Sequence, residues 1–298
     1  MANTINANLQ NNIISQSALD QFTSILAPTQ AFSSSFNDEA SQRGKTINIT
    51  TLSNTSSAAD FSGTYTAQDT TYGTTTITLS GHKFVTWHVT DTEASQSSAV
   101  ELQRFGYQKG GDLAKAVYQD MLSAVTNANF GAAGFTGAAS TFDADDVADL
   151  RGSAVAANLP VDQCALVLDS TYYTALLKDN NLNPAMTFGD ADVIRGGRIP
   201  SLFGLGFLFE SPAIPGNSEN LVGFLAHPSA MAIAMRYLQP VNSKEYIAAR
   251  RLYDEDSGMV LGYREYYEPS TGTQTAVLEA VYGYQVALSG SLIRMVSA

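Results

Sequence analysis

The chain has 298 residues, only 15% of them charged, and a formal net charge of −12. Such an acidic balance excludes a nucleic-acid binder that works by neutralising phosphates, and the one cysteine, Cys164, excludes an intrachain disulfide framework or a multi-cysteine metal site. The low charge density fits either an ordinary β-rich domain or a protein much of whose surface meets other protein.

Residues 1–44 read as a polar arm with one short amphipathic helix, Ser17 to Leu26, whose Leu19, Phe22, Ile25 and Leu26 follow helical spacing and which Pro28 stops. An arm with so little core of its own is expected to lie on something else. From Lys45 to Asp91 the pattern is β. Thr46–Leu52 and Thr74–Leu79 alternate cleanly, and His82–Val89 sets Val85, Trp87 and Val89 on the face opposite Phe84. The stretch between the first two strands is poor in large apolar groups, which predicts a long hairpin that is marginal alone.

Leu113, Val117, Met121 and Val125 recur every four residues in the longest helix, Ser97 to Asn127, where Gly106, Gly110 and Gly111 predict a kink or break. Phe130 to Gly137 reads as a linker. Asp143, Asp145 and Asp146 open a helix running to about Asn158, Cys164–Leu168 is a buried strand, and Ser170 is expected to cap the helix Thr171–Lys178. Asp179 to Arg198 reads as a long loop.

Phe207–Phe209 and Leu221–Ala226 are short buried strands, and Pro228 is expected to start a helix with Met231, Ala234, Met235 and Leu238 on one face. Glu245–Leu252, Val260–Tyr267, Thr275–Leu288 and Ser291–Val296 read as strands. The polar start has no basic-then-apolar signal, so no signal peptide is expected, and no apolar run approaches the roughly 20 residues of a membrane helix.

Chemical motifs fail one by one. Gly44-Lys45-Thr46 ends like a phosphate-binding loop, but Glu39 stands where its first glycine belongs. Gly204-Leu-Gly206 lacks the third glycine of a dinucleotide fingerprint, because Phe209 occupies that place. His82 and His88 are about 20 Å apart along a strand, too far for one metal, and His227 reads as a packing or capping residue. Asp254, Glu255 and Asp256 lack the spacing of a calcium loop. The late tyrosines, Tyr253, Tyr263, Tyr266, Tyr267, Tyr282 and Tyr284, are outweighed by acidic neighbours as a nucleic-acid platform and read as a packed or interfacial sheet. No nucleophile, base and oxyanion site assembles, so no catalytic residue, cofactor or metal is expected.

The segment Arg195 to Pro215, with Gly197-Arg-Ile-Pro-Ser-Leu-Phe-Gly-Leu-Gly-Phe207 and closing Ser211-Pro212, followed by Leu221 to Tyr237, resembles the major capsid proteins of tailed bacteriophages with the Hong Kong 97-type fold. The order arm, Thr-rich hairpin, long helix, then sheet and helices agrees with it. The resemblance implies an α+β fold: N-terminal arm 1–44, E-loop hairpin 45–90, peripheral (P) domain spine helix and linker 91–140, axial (A) domain 141–240 with a central sheet flanked by helices, P-domain strands 241–288, and a closing A-domain strand 289–298. It implies a structural protein that forms hexamers and pentamers of itself in an icosahedral shell around viral double-stranded DNA, without sequence-specific binding or a membrane. Scaffolding and portal proteins, and a decoration protein, are its implied partners, and its implied location is the virion, after assembly in the bacterial cytoplasm. An encapsulin-like compartment shell is the alternative. The expected inter-subunit contacts are Phe22, Arg43, Lys45, Asp60, Phe61, Tyr65, Tyr72, Arg195 and Arg198.

Overall fold

The computed structural model describes residues 7–34, 46–53, 60–65, 71–96, 99–179, 199, 202–254 and 258–298. In chain order the first elements are α1 (Ala7–Leu26), β1 (Thr46–Ser53), β2 (Thr71–Thr78), β3 (Gly81–Thr90), α2 (Asp91–Gln96), α3 (Ala99–Leu122) and α4 (Asn127–Phe130). Then follow β4 (Phe135–Thr136), α5 (Ala144–Ala156), β5 (Ala165–Asp169), α6 (Ser170–Leu177), β6 (Phe207–Ser211), β7 (Leu221–Ala226) and β8 (Met231–Arg236). Four strands close the chain: β9 (Ala248–Tyr253), β10 (Val260–Glu268), β11 (Thr273–Val286) and β12 (Leu292–Val296). Apart from Asp179, the expected loop 179–198 lies outside the described residues.

Two five-stranded sheets organise the body. One has the order β3-β11-β10-β9, with β8 also on β11, and the other β4-β12-β7-β5-β6. Trp87, Tyr263, Leu278 and Tyr282 of the first sheet pack with Leu113, Val117 and Tyr118 of α3 in the largest core, which Val167 and Phe224 of the second sheet extend. A second core lies between β5, β7 and β12 and the helices α5 and α6, around Val147, Leu150, Leu166 and Tyr173. The odd-numbered face of β3 is inward as expected, with Trp87 buried and Phe84 exposed.

Several expectations are corrected. The arm helix is 20 residues long and lies on its own chain: Ile14, Ala18, Leu19, Phe22 and Leu26 are buried in the core they share with α3. The glycines of α3 do not break it: the helix runs without interruption from Ala99 to Leu122. A Cβ on Gly106 would lie 2.5 Å from the Ile14 carbonyl oxygen, and one on Gly110 would lie 2.2 Å from that of Ala18. They let the two helix backbones approach, so the helix keeps two poor helix formers for a packing reason. The segment after Pro228 is a strand, β8. It is buried on both faces, with Met231, Ile233 and Met235 in the main core and Ala232 and Ala234 against the hairpin base. A strand buried on both sides loses its alternation, and its apolar run then mimics a helical stripe. Asp169, not Ser170, caps α6, accepting from the Thr171 N–H at 3.2 Å. The expected linker carries β4, paired in parallel with β12. The acidic start of α5 is as expected: Asp143 accepts from Asp145 and Asp146, and Asp146 reciprocates.

The β1–β2 ladder is antiparallel, from Thr46 opposite Thr78 to Ser53 opposite Thr71. Its base is fixed by Ile77 and Leu79 packing on Ala232, Ala234 and Val281. Gly283 makes that docking possible, because a Cβ there would sit 2.4 Å from the Thr78 carbonyl oxygen. Gly283→Ala is therefore expected to cost about 1–3 kcal/mol, read as a lower urea midpoint. Gly290→Ala, where a Cβ meets nothing within 4 Å, is expected to leave the midpoint in place.

Candidate assembly surfaces

Among the described residues no group of three histidine, cysteine or carboxylate side chains is placed to hold a metal ion. The histidines have separate structural partners. His82 Nε2 lies 3.0 Å from Glu279, whose other oxygen meets Arg264 at 2.7 Å, and His88 Nδ1 lies 3.0 Å from Thr275 Oγ1. Cys164 is buried, and burial pushes its thiol up, away from nucleophilic reactivity.

His227 sits where the chain crosses from β7 to β8, beside the return crossing from β11 to β12. Its N–H donates to the Ser291 carbonyl at 2.9 Å, and the Ala287 N–H donates to Ala230 at 2.9 Å. The Ser229 N–H donates to His227 Nδ1 at 3.2 Å, so the ring proton belongs on Nε2, 3.3 Å from Gln163 Oε1. Burial lowers the His227 pKa, partly opposed by Asp162. The unfolded chain, titrating near the ordinary 6.5, therefore takes up this proton before the folded chain does. The contribution is fully present above about pH 6.5 and is lost as pH falls from there through the folded value. His227→Gln is expected to flatten the decline in urea midpoint between pH 7.5 and 5.5 relative to the unsubstituted protein. An unchanged decline would assign it to other groups.

A second set of contacts ties the end of α3 to the other sheet. Asn217, in a left-handed turn with φ 50°, donates to the carbonyls of Leu122 and Val125 at 2.8 and 2.9 Å. Glu219 accepts from the Asn127 N–H at 2.8 Å and pairs with the buried Arg294. Nothing in the sequence pattern marked Asn217 or Glu219, because their partners lie far along the chain.

The surfaces available to other molecules lie elsewhere. Of the residues expected at inter-subunit contacts, Asp60, Phe61 and Tyr65 fall together between β1 and β2. Phe61 is 63% exposed and Tyr65 90% exposed, and their rings meet at 4.7 Å. Two exposed aromatic rings in contact with each other make an apolar surface patch. Tyr72 stands opposite Leu52 in the ladder. Phe22 is fully enclosed by its own chain, so its packing is internal: the helix it anchors already has α3 to cover it. Arg43, Lys45, Arg195 and Arg198 lie outside the described residues. The edge of β9 that no described strand covers is not marked by any sequence pattern, although Tyr253 at its end, 46% exposed, belongs to the tyrosine-rich stretch.

No protein-family model matches the sequence, and no curated protein matches it. Solved structures do. The structure described as Cyanophage P-SCSP1u capsid superposes with a TM-score of 0.60 at 14% identity, over 90% of this chain and 86% of that one. The chain has the fold of phage capsid structures. A protein of Mycobacterium phage Che8 gives a TM-score of 0.58 at 19% identity, over 90% of both chains. A virus-like particle from Pyrococcus furiosus gives 0.52 at 10% identity, over 95% of this chain and 97% of that one. The similarity is one of the mixed α+β fold and spans nearly the whole chain.

Proposed function

We propose that this chain is the major capsid protein of a tailed bacteriophage, a structural subunit that associates with itself into an icosahedral shell around double-stranded DNA. The observation that carries the reading is a capsid-type body whose hairpin bears exposed aromatics that its own core does not cover. An eight-residue ladder carries the chain about 27 Å from its docked base, so the Phe61–Tyr65 pair reaches for a neighbour. On this reading β1 and β2 are the E-loop, α3 is the spine helix of a P domain completed by β3 and β8–β11, and β4–β7 with β12 form the A domain. The A-to-P boundary then falls at Ala226, since β8 belongs to the sheet of β11. Arg43, Lys45, Tyr72, Arg195 and Arg198 are assigned to inter-subunit contacts with Asp60, Phe61 and Tyr65, while Phe22 is not.

Scaffolding, portal and decoration proteins complete the proposed assembly, in the virion and, before it, in the host cytoplasm. Many individually weak contacts make a stable shell through multivalency. Light scattering behind a sizing column is expected to show the purified chain growing into hexamers or pentamers as concentration rises. A constant monomer mass across the range contradicts the reading. An encapsulin-like compartment is the second reading, less supported because the solved structures similar to this chain are mainly phage capsids. Packaged protein instead of DNA, or a cargo-enzyme gene beside this one, would favour it.

A further inference from the structure

The strand β9 is the outermost of its sheet: β10 holds one side, and among the described residues no strand pairs with the other. One hydrogen bond sets the direction of that open edge. The Asp254 N–H donates to the Met259 carbonyl at 3.1 Å, and the pairing continues as Tyr253 with Val260 and Leu252 with Leu261. Alternate residues of an antiparallel ladder turn to the partner. Asp254, Leu252 and Arg250 therefore direct their backbone groups at β10, and Tyr253, Arg251 and Ala249 direct theirs outward. An open edge is a template for pairing with another chain, and β9 carries no proline to block it.

The side chains on this edge form a set with its own complement. Arg250 lies on the face towards α1, 4.8 Å over the Tyr263 ring and donating to Ser15 Oγ at 2.9 Å. Arg251 lies on the opposite face, 4.5 Å over the ring of Tyr253. Asp254 follows on the Arg250 face, since faces alternate along a strand.

We propose that β9 pairs antiparallel with β9 of a second copy about a two-fold axis at Leu252. The inference rests on the shell-forming reading for the identity of the partner, and the geometry supplies the register. A two-fold contact is self-complementary, so each residue meets the one equally far beyond Leu252 on the other copy. Arg250 then faces Asp254, and Arg251 faces Tyr253, each on its proper side of the joined sheet. Arg251 and Tyr253 both present outward backbone groups and exchange N–H to carbonyl bonds. An axis between two residues would set the inner face of one copy against the outer face of the other. An axis at Arg251 would oppose two guanidinium groups, which destabilises a cross-strand pair. An axis at Tyr253 would set Leu252 against the Asp254 carboxylate. Of the centres at Arg251, Leu252 and Tyr253, Leu252 is the one that satisfies faces and charges together and gives Arg250 an opposite charge to face.

The test is a disulfide that only this register allows. Leu252 faces itself in a non-hydrogen-bonded pair with Cα atoms about 4.5 Å apart, within reach of a disulfide, while the native Cys164 is buried. Mild oxidation of assembled Leu252→Cys protein is expected to give covalent dimers that thiol reductant dissolves. Ala249→Cys is expected to give none, because its two copies would lie about 20 Å apart. Adding Asp254→Lys to Leu252→Cys is expected to lower the dimer yield severalfold, since two cations then face each other. If Leu252→Cys impairs folding, co-assembled Arg251→Cys and Tyr253→Cys chains supply the same test at a hydrogen-bonded pair. Shells that form without these crosslinks overturn the pairing and leave the capsid reading standing. Equal crosslinking by Ala249→Cys also overturns the pairing. Failure to associate under any condition overturns the capsid reading and the pairing with it.

Discussion

Gly110→Ala is expected to lower the melting temperature sharply, and Gly111→Ala, one residue on, to raise it. Both changes replace a helix-interior glycine by the best helix former, a gain of roughly 0.5–1 kcal/mol where space exists. At Gly111 space exists: a Cβ would meet only the side chains of Ile25 and Gln21, at 3.5 and 3.6 Å. At Gly110 the new carbon would lie 2.2 Å from the carbonyl oxygen of Ala18 and 2.7 Å from its Cα. Those are backbone atoms of α1 and cannot rotate away, so the helices must separate. Separation exposes Ile14, Leu19 and Phe22, all buried at that interface, and overpacking of this kind costs about 1–3 kcal/mol or more. A fall of roughly 2–12 °C at Gly110 follows from roughly 2–4 °C per kcal/mol. Calorimetry that found Gly110→Ala as stable as Gly111→Ala would show that α1 does not sit on α3 as described.

The paired substitution Phe61→Ser and Tyr65→Ser is expected to leave the subunit's own stability within about 0.5 kcal/mol, as exposed changes do, and to abolish assembly. The two rings are exposed and touch each other, so removing them takes nothing from the core. Their loss matters only where a neighbour would have covered them, and clustered aromatics are the side chains that dominate such contacts. Urea unfolding reads the first half of the expectation, and sedimentation under assembly conditions reads the second. Normal assembly by the doubly substituted chain would remove the hairpin loop from the account.

The parts of the fold legible in sequence were those whose signal is local. The alternation of Thr46–Leu52, the inward Trp87, the acidic cap at Asp143 and the late strands all follow from patterns a few residues long. The misreadings involve partners distant in sequence. Gly106 and Gly110 look like a weak point until Ile14 and Ala18 are placed against them. Met231–Arg236 looks like one face of a helix because the hairpin base and the main core bury both sides of it. The polar arm looked unsupported because its support, α3, lies some seventy residues on and shows the same apolar stripe that the arm needs. Phe61 and Tyr65 stand out in the sequence because they are large apolar groups in a stretch otherwise poor in them. The β9 edge does not, since an open edge is a property of sheet order and not of any one strand.

Electron microscopy of the concentrated protein, with scaffolding protein supplied, tests the central claim most directly. Closed shells of uniform diameter are the predicted result. Monomers that persist under every assembly condition would contradict it.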